Sequence, residues 1–211
     1  NPTREALEKT IGALEEGYNG LAFASGMAAI STVLSLFSTG DRIVLPDNLY
    51  GGTFRIADRV FSNFGIEYII VDPTDLNALE RVLISGGIKA VFVETPTNPL
   101  MDITDIGKVA ELARKYGALT IVDNTFMSPY LQRPIKHGAD IVVHSATKFI
   151  GGHGTTIAGV IVDSGQFDWA ASGNFPQFVD EDPSYHNISY TRDIGPAAFI
   201  TALRVQLLRD T

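Results

Sequence analysis

Residues 119–123 read Leu-Thr-Ile-Val-Asp, and residues 140–148 read Asp-Ile-Val-Val-His-Ser-Ala-Thr-Lys. Both stretches contain runs of β-branched and apolar residues that do not alternate with polar ones, a pattern typical of strands covered on both faces. Helical patterns separate most of the other apolar runs, for example at 76–84 and 106–116. This alternation of strand and helix predicts an α/β fold in which a mostly parallel sheet lies between helix layers.

The remaining elements extend the same pattern along the chain. Strands are predicted at 20–24, 42–46, 66–72, 89–94, 119–123, 140–144 and 157–163. Helices are predicted from Asn1 or Thr3 through Leu14, at 26–37, 51–64, 76–84 and 106–116, and from Pro196 to Thr211. Residues 164–193 are rich in small, polar and aromatic residues without periodicity, so a long functional or interface loop is expected there.

Composition and charge narrow the class of protein. The 211 residues, 45% of them hydrophobic, suffice for one globular domain with a sizeable core. The net charge of −8 argues against nucleic acid or an anionic membrane as a partner. There is no cysteine, the four histidines share no metal-ligand spacing, and the apolar runs are too short to span a bilayer. We expect a cytoplasmic protein without a metal site, in which residues 1–211 are one domain of a longer polypeptide, because both ends look cut.

Asp123 and Lys148 each follow an apolar strand. Ligands of open α/β sheets bind at the carboxyl ends of the strands. Pyridoxal phosphate (PLP) needs such a pair, because a lysine forms a Schiff base with its aldehyde and a carboxylate keeps its pyridine nitrogen protonated. The neighbours of Lys148 are small or apolar, so we expect its amine to be desolvated. The alternatives are a turn-capping aspartate and an ordinary surface lysine.

Three further segments follow strand ends. In Ser25-Gly26-Met27, the glycine would let a helix start approach a phosphate, or would serve a tight packing turn. Tyr50 precedes two glycines and either stacks on a flat ring or is an ordinary loop tyrosine. Asn98 lies between two prolines, where a turn residue is the alternative. Dinucleotide and P-loop sites are disfavoured, since neither G-x-G-x-x-G nor G-K-[ST] is present.

Seven stretches spread along the chain support the PLP interpretation together. They are NPTREALE (1–8), ASGMAAI (24–30), NLYGGT (48–53), VETPTNP (93–99), IVDNTF (121–126), PYLQRP (129–134) and GADIVVHSATKFIGGHG (138–154). In this order they resemble the Cys/Met-metabolism family of PLP enzymes: cystathionine synthases and lyases, methionine γ-lyase and O-acetylhomoserine sulfhydrylase. The resemblance implies a fold-type I large domain, a three-layer α/β/α structure with a mainly parallel seven-stranded sheet.

The resemblance also assigns roles to ten residues. It implies that Lys148 is the Schiff-base lysine, that Asp123 pairs with the pyridinium nitrogen, and that Tyr50 stacks on the ring and transfers protons. These three are the expected catalytic residues. The other implied cofactor contacts are the turn of Ser25, Gly26 and Met27 at the phosphate, the hydroxyls of Ser145 and Thr147 at the phosphate, Asn98 at the ring oxygen, and Thr125 beside the ring.

The implied reaction is γ-replacement on O-acetylhomoserine with sulfide or methanethiol, giving homocysteine or methionine. Segments 165–169, 173–178 and 182–186 resemble the sulfhydrylase members, whereas other members are shorter in this region. Residues 1–152 resemble cystathionine γ-synthase or γ-lyase equally well, so these enzymes and methionine γ-lyase stay open as alternatives. A non-catalytic cofactor-binding or oligomerisation fragment is the alternative from another class.

The segment 164–193 is expected to lie near the active-site entrance or at a subunit contact, and to favour a small thiol over cysteine. Its aromatic residues Phe175, Phe178, Tyr185 and Tyr190 are too many to leave in water. The alternative is that they pack the segment onto its own domain.

Two parts of the family pattern are absent from this chain. One is an N-terminal arm whose Tyr and Arg reach the phosphate of a neighbouring subunit. The other is a small C-terminal domain whose arginine binds the substrate carboxylate. The resemblance implies an amino-acid substrate and a homotetramer built as a dimer of dimers.

Overall fold

Seven strands form one mixed sheet in this structure, a computed structural model that describes residues 1–209 and the side chains of residues 1–207. The strands are β1 (Asn19–Phe23), β2 (Arg42–Pro46), β3 (Glu67–Val71), β4 (Ile88–Glu94), β5 (Leu119–Asp123), β6 (Ile141–His144) and β7 (Gly159–Asp163). Their order across the sheet is β1-β7-β6-β5-β4-β2-β3.

The sheet is parallel except at β7. Strands β2 to β6 pair as parallel neighbours, while β7 runs antiparallel to both β6 and β1. The prediction of a mainly parallel α/β sheet is therefore confirmed, although the reversed direction of β7 was not foreseen. In the register of the sheet, Asp123 pairs with Glu94 on one side and with Val143 on the other. The carboxyl ends of β4, β5 and β6 thus meet at one edge.

Eight α-helices accompany the sheet within residues 1–209. They are α1 (Pro2–Leu14), α2 (Gly26–Leu34), α3 (Gly51–Arg59), α4 (Leu76–Ile84), α5 (Ile106–Lys115), α6 (Ser128–Leu131), α7 (Pro176–Val179) and α8 (Ala198–Leu203). Among these described helices, none is both long enough and apolar enough to cross a membrane. The helix that the sequence predicted from Pro196 begins at Ala198, and its predicted end at Thr211 lies outside the described residues.

Side-chain caps set the start of four of these helices. Asn1, Ser25, Asp75 and Asp105 each accept a hydrogen bond from a backbone N–H two or three positions further on. Such caps satisfy N–H groups that have no partner within the helix. Helix α3 has no side-chain cap, because it is preceded by Tyr50.

Two helices end three to five residues earlier than the sequence predicted. Helix α2 ends at Leu34, and the following turn is fixed by a hydrogen bond from Gln177 Nε2 to the carbonyl of Leu36. Helix α3 ends at Arg59, and a short 3-10 turn then leads to Gly65 with φ +79°. This left-handed glycine ends the 3-10 turn.

Successive residues of the central strands point into opposite apolar layers. Ile121 and Val143 face the layer that contains α2 and α8, whereas Val122 and Val142 face the layer that contains α4 and α5. All four side chains are almost completely buried. Burial on both faces explains why these strands read as continuous apolar runs and confirms the three-layer arrangement.

The aromatic residues of segment 164–193 pack onto the domain itself. Phe175, Phe178 and Tyr190 are almost fully buried, and Trp169 lies 4.4 Å from Phe178 and 5.6 Å from Phe199 of α8, measured between ring centroids. These contacts are those of the alternative interpretation, in which the segment belongs to the core of its own domain. Tyr185 is only half-buried.

The same segment reaches the amino ends of the parallel strands. Asn174 accepts a hydrogen bond from Lys89 at the start of β4 and donates one to the carbonyl of Gly117, two residues before β5. Gln177 is anchored to Leu36 after α2. The prediction that the segment lies near the active-site entrance is therefore wrong for residues 174–177, because ligands of such sheets bind at the opposite edge. A subunit contact elsewhere in the segment stays a prediction.

Replacing Phe178 tests its role in the core. Phe178→Ala should lower the free energy of unfolding by about 3–5 kcal/mol, since it removes a buried aromatic ring and leaves a cavity. Urea unfolding of the purified protein measures this loss. The matched control is Phe64→Ala, whose ring is 63% exposed and whose loss should cost less than about 1 kcal/mol. Equal losses in the two variants would contradict the burial of Phe178 in the core.

Candidate active site

A pocket of about 240 Å³ opens at the carboxyl edge of the sheet. Its lining contains all ten residues that the sequence singled out: Ser25, Gly26, Met27, Tyr50, Asn98, Asp123, Thr125, Ser145, Thr147 and Lys148. Five further lining residues were not predicted: Ile30, Glu94, Pro96, Phe126 and Ile157. The fold thus brings side chains from distant parts of the chain to one place.

The turn between β1 and α2 forms one wall of the pocket. Ser25 is the N-cap of α2, and its Oγ accepts a hydrogen bond from the Ala28 N–H at 3.0 Å. A Cβ at Gly26 would lie 2.6 Å from the Cβ of Ser145, so only glycine fits there. The glycine therefore serves a close packing contact, and that contact also brings the N-terminus of α2 beside Ser145. A helix N-terminus in this position favours an anion such as phosphate.

Asp123 ends β5 and is 8% exposed. Its Oδ1 accepts hydrogen bonds from the backbone N–H and from the hydroxyl of Thr125. The Thr125 Oγ1 accepts in turn from the Ser145 N–H at 2.8 Å, which connects the ends of β5 and β6. Burial raises the pKa of Asp123 above its ordinary value, against the opposing effects of Thr125 and of the positive charge that His144 can carry. A cation placed beside this carboxyl would favour its ionised form.

Lys148 follows the turn that ends β6. Its backbone N–H donates to the Ser145 carbonyl at 3.1 Å, and the Gly151 N–H donates to the Ala146 carbonyl at 2.8 Å. The side chain of Lys148 is exposed. The expectation of a desolvated amine is therefore wrong for this chain, because the turn carries the lysine past the buried end of the strand to an open pocket. An exposed amine in the pocket is accessible to a small molecule that binds there.

Thr147, beside Lys148, is tied to the start of the next strand. Its Oγ1 lies 3.1 Å from both the carbonyl oxygen and the N–H of Ala158, so it donates to the first and accepts from the second. The predicted contact between this hydroxyl and a phosphate would thus need to share or replace the bond to Ala158. Ser145 carries the other hydroxyl of this turn that lines the pocket.

Tyr50 and Asn98 lie on two loops, after β2 and β4. The Tyr50 ring is 44% exposed, and a Cβ at Gly52 would lie within 2.3 Å of it. Glycine at this position is therefore required by the packing of the tyrosine ring. Asn48 joins the two loops, because its Nδ2 donates to Thr97 Oγ1 and to Asp102 Oδ2, at 2.7 Å each.

Glu94 is the most informative pocket residue that sequence reasoning missed. It is 6% exposed and accepts hydrogen bonds from the backbone N–H groups of Tyr50 and Asn98. The signal that could have revealed it is the one that revealed Asp123, an acidic residue at the end of an apolar strand. The other missed lining residues are apolar or aromatic and carry no such signal.

A second layer of buried polar groups lies behind the strand ends. His144 Nε2 is 2.6 Å from Glu15 Oε1, and neither side chain is exposed. Glu15 Oε1 also accepts from Asn124 Nδ2 at 2.8 Å, and Asn124 exchanges a further hydrogen bond with Gln132. This network ties the last residue of β6 and the residue after β5 to the end of α1, so it holds Asp123 and Ser145 in register from behind.

Residues 1–199 match the model of a family described as Cys/Met metabolism PLP-dependent enzymes. The chain belongs to this family. The predicted family and its cofactor, PLP, are thereby confirmed. A sulfhydrylase, FUB7, from Gibberella moniliformis is 46% identical over 100% of this chain and 49% of its own length. A cystathionine beta-lyase from Lactococcus lactis subsp. cremoris is 53% identical over 76% of this chain and 42% of its own length.

A solved structure from Campylobacter jejuni, named as an O-acetylhomoserine (thiol)-lyase, superposes with a TM-score of 0.93 and 35% sequence identity. The match covers 100% of this chain and 52% of that protein, which holds N'-pyridoxyl-lysine-5'-monophosphate. The likeness confirms the predicted fold-type I architecture. The chain spans about half the length of the relatives that it matches.

The residues around the pocket fit PLP. The close contact at Gly26 exposes a helix N-terminus suited to the phosphate. The ionised form of the buried Asp123 carboxyl is stabilised by a nearby cation, and the protonated pyridine nitrogen of PLP provides one. The amine of Lys148 is accessible to the aldehyde. We therefore expect these three residues to hold the two ends and the ring nitrogen of the cofactor.

Lys148→Ala should abolish the covalent bond between the protein and PLP. Borohydride reduction of the wild-type holoenzyme, followed by peptide mapping, should place the label on Lys148. Lys108→Ala is the control, since Lys108 is an exposed lysine on α5 whose loss should leave the label unchanged. A label on any other lysine would refute the assignment.

Asp123→Asn should keep bound PLP and lose activity. A neutral amide cannot stabilise a protonated ring nitrogen as a carboxylate does. We expect turnover to fall by more than about tenfold, equivalent to about 1.4 kcal/mol of barrier. Asp168→Asn, an exposed position away from the pocket, is the control. A smaller loss in Asp123→Asn, with PLP bound, would mean that Asp123 is not the ring partner.

Proposed function

We propose that this chain is the PLP-binding large domain of an enzyme that carries out γ-replacement on O-acetylhomoserine. In this reaction sulfide or methanethiol takes the place of acetate, giving homocysteine or methionine. The observation that carries the proposal is the fraction of this chain that each relative matches. The FUB7 sulfhydrylase and the Campylobacter (thiol)-lyase match 100% of this chain, whereas the Lactococcus cystathionine beta-lyase matches 76% of it.

The part of the chain that follows β7 bears on the choice between the sulfhydrylase and the lyase branches. That part contains the segments whose sequence is similar to the sulfhydrylases. In the structure it supplies Phe175, Phe178 and Phe199 to the main apolar layer. Because it is an integral part of the core, its presence supports assignment to the sulfhydrylase branch more strongly than a surface loop would.

The residues of the pocket suggest how the chain would assist the reaction. Bound PLP supplies an electron sink for negative charge on the substrate carbons. Asp123 would hold the proton on the pyridine nitrogen from its buried position at the end of β5. The Lys148 amine would bind the cofactor at rest and carry protons between substrate carbons during turnover. Tyr50 would cover the ring and act as a second proton-transfer group.

The second candidate is cystathionine γ-synthase, cystathionine γ-lyase or methionine γ-lyase activity. The observation that favours it is sequence identity. A cystathionine gamma-lyase from Bacillus subtilis is 51% identical over 77% of this chain, whereas the FUB7 sulfhydrylase is 46% identical. These enzymes would use the same cofactor residues and differ in the fate of the substrate after the γ-group leaves. A non-catalytic PLP-binding or oligomerisation domain is the third candidate.

We further propose a cytoplasmic homotetramer, arranged as a dimer of dimers, for the whole protein. Four large side chains near the carboxyl edge of the sheet support this: Tyr130, Leu131, Phe149 and Ile157 are each more than 60% exposed. Ile157 also lines the pocket. An apolar surface of this kind beside a polar site is suited to cover by another protein chain. A neighbouring subunit would then supply the remaining phosphate contacts.

Competition between acceptors tests the proposed reaction. The full-length gene product, loaded with PLP, is given O-acetylhomoserine with sulfide and cysteine at equal concentration. We expect homocysteine as the main product, formed at least about tenfold faster than cystathionine, a difference of about 1.4 kcal/mol in barrier.

The other products identify the alternatives. Cystathionine as the main product would favour the synthase, and a keto acid with ammonia in the absence of a thiol would favour a lyase. Bound PLP without turnover of any substrate would favour the non-catalytic domain.

A further inference from the structure

Glu94 occupies a central place in the pocket that no predicted role accounts for. It is the last residue of β4 and the register partner of Asp123 on β5. Its side chain is 6% exposed and lines the same pocket as Asp123 and Lys148. Two carboxyl groups therefore lie side by side at the end of two buried strands, and only Asp123 has been given a function.

Each oxygen of the Glu94 carboxylate binds a different loop. Oε2 accepts from the backbone N–H of Tyr50 at 2.7 Å, and Oε1 accepts from the backbone N–H of Asn98 at 2.9 Å. Tyr50 lies in the connection between β2 and α3, and Asn98 lies after β4. One side chain thus fixes the backbone at two positions that the cofactor is expected to touch.

Only the ionised carboxylate offers a strong acceptor to both N–H groups. A carboxylate has acceptors on both oxygens, whereas a neutral carboxyl group carries a proton on one oxygen, which is then a donor. That hydroxyl oxygen is a much poorer acceptor than a carboxylate oxygen, so the hydrogen bond from the backbone N–H that faces it is weakened. Loss of the charge on Glu94 would therefore loosen either the Tyr50 loop or the Asn98 loop.

We propose that Glu94 is a positioning residue whose carboxylate holds Tyr50 and Asn98 in place for the cofactor, so that neutralising it weakens PLP binding. This inference rests on the proposed contacts of Tyr50 and Asn98 with PLP. It is independent of the choice between sulfide, cysteine and water as the acceptor.

The protonation of Glu94 falls within an accessible pH range. Burial raises the pKa of Glu94 to about 7, the N–H of Tyr50 opposes this shift, and the negative charge of Asp123 adds to it. The other ionisable groups of the pocket lining are Tyr50 and Lys148. Asp47 and Asp102 lie on the two loops that Glu94 joins. Glu94 therefore accepts two strong hydrogen bonds above about pH 7 and holds one of them only weakly below it.

Raising a carboxyl pKa on folding also has a defined effect on stability. The folded protein binds the proton of Glu94 more tightly than the unfolded chain does, where a glutamate has its ordinary pKa of 4.5. The resulting stabilisation is complete below about pH 4.5 and is lost as the pH rises through about 7. Glu94→Gln should therefore not lower the unfolding temperature of the apoprotein at pH 8. A residue with a purely structural role would show the opposite result.

The experiment is a titration of the full-length apoprotein with PLP, comparing wild type and Glu94→Gln at pH 8 and pH 6. Glutamine imitates the neutral carboxyl, since it offers one acceptor and one donor. At pH 8 the Kd for PLP should rise about tenfold in the variant, as expected for loss of a hydrogen bond to a charged group. At pH 6 the two proteins should differ by less than about threefold, because wild-type Glu94 is then mostly neutral.

A second measurement reports on the loops directly. Hydrogen exchange of the Tyr50 and Asn98 amides in the apoprotein at pH 8 should be faster in Glu94→Gln than in wild type at one or both positions. Asp140→Asn is the matched control: Asp140 is buried, accepts a hydrogen bond from the Thr120 N–H, and has a pKa raised to about 6 by burial, but lies outside the pocket. Its Kd for PLP and its amide exchange at Tyr50 and Asn98 should match wild type.

The proposal is overturned if Glu94→Gln binds PLP with wild-type affinity at pH 8, or if the variant weakens binding equally at both pH values. Unchanged exchange of both amides would overturn it as well, even with a raised Kd. A protein that binds PLP as expected and then fails to use sulfide would refute the proposed function while leaving the role of Glu94 intact. Failure of the wild-type protein to bind PLP would refute both.

Discussion

The parallel pairing of β4 and β5 is the constraint on which the site depends. Their register sets Glu94 directly beside Asp123, and the pairing of β5 with β6 sets Val143 next to it. Because all three strands are buried on both faces, a slip of one residue would turn apolar side chains away from their layers. The packing of the core therefore fixes the position of the strand ends that line the pocket, and the loops that follow these strands complete its lining.

This arrangement has an electrostatic cost that the cofactor can offset. Burial raises the pKa values of both Glu94 and Asp123, and the negative charge of Asp123 further raises the pKa of Glu94. The Glu94 charge is supported by two backbone N–H groups, whereas Asp123 is supported by Thr125. A pyridinium cation beside Asp123 would favour the ionised form of both residues. Binding of PLP should accordingly stabilise the fold by linkage as well as complete the chemistry.

The sequence predicted the strands of the sheet and ten of the residues that line the pocket. It predicted less well how exposed these residues are and which groups they contact. Strands covered on both faces leave long apolar runs, so β2, β4 and β5 could be placed within a residue. Gly26 and Asp123 could be singled out from the local sequence. A glycine between a strand and a helix indicates a close backbone contact, and an acidic residue at the end of an apolar strand indicates a polar group at the edge of the sheet. The exposure of Lys148 could not be foreseen, since it depends on a turn held by contacts of Ser145 and Ala146. Glu94 ends an apolar strand as Asp123 does, so the sequence carried a signal for it. Its contacts with the backbone of two loops could not be predicted, because no side-chain pattern reveals them.

Segment 164–193 supports the choice of the sulfhydrylase branch but does not explain how a thiol would be selected. Its likeness to the sulfhydrylases supports the proposed reaction, yet its residues Asn174 and Gln177 are anchored at the amino ends of the strands. No residue of the described part of this segment lines the pocket. Segment 164–193 therefore does not select the thiol by direct contact within the pocket of its own chain. Selection must then act through the packing that the segment imposes on α2 and α8, through a pocket residue, or through a neighbouring subunit.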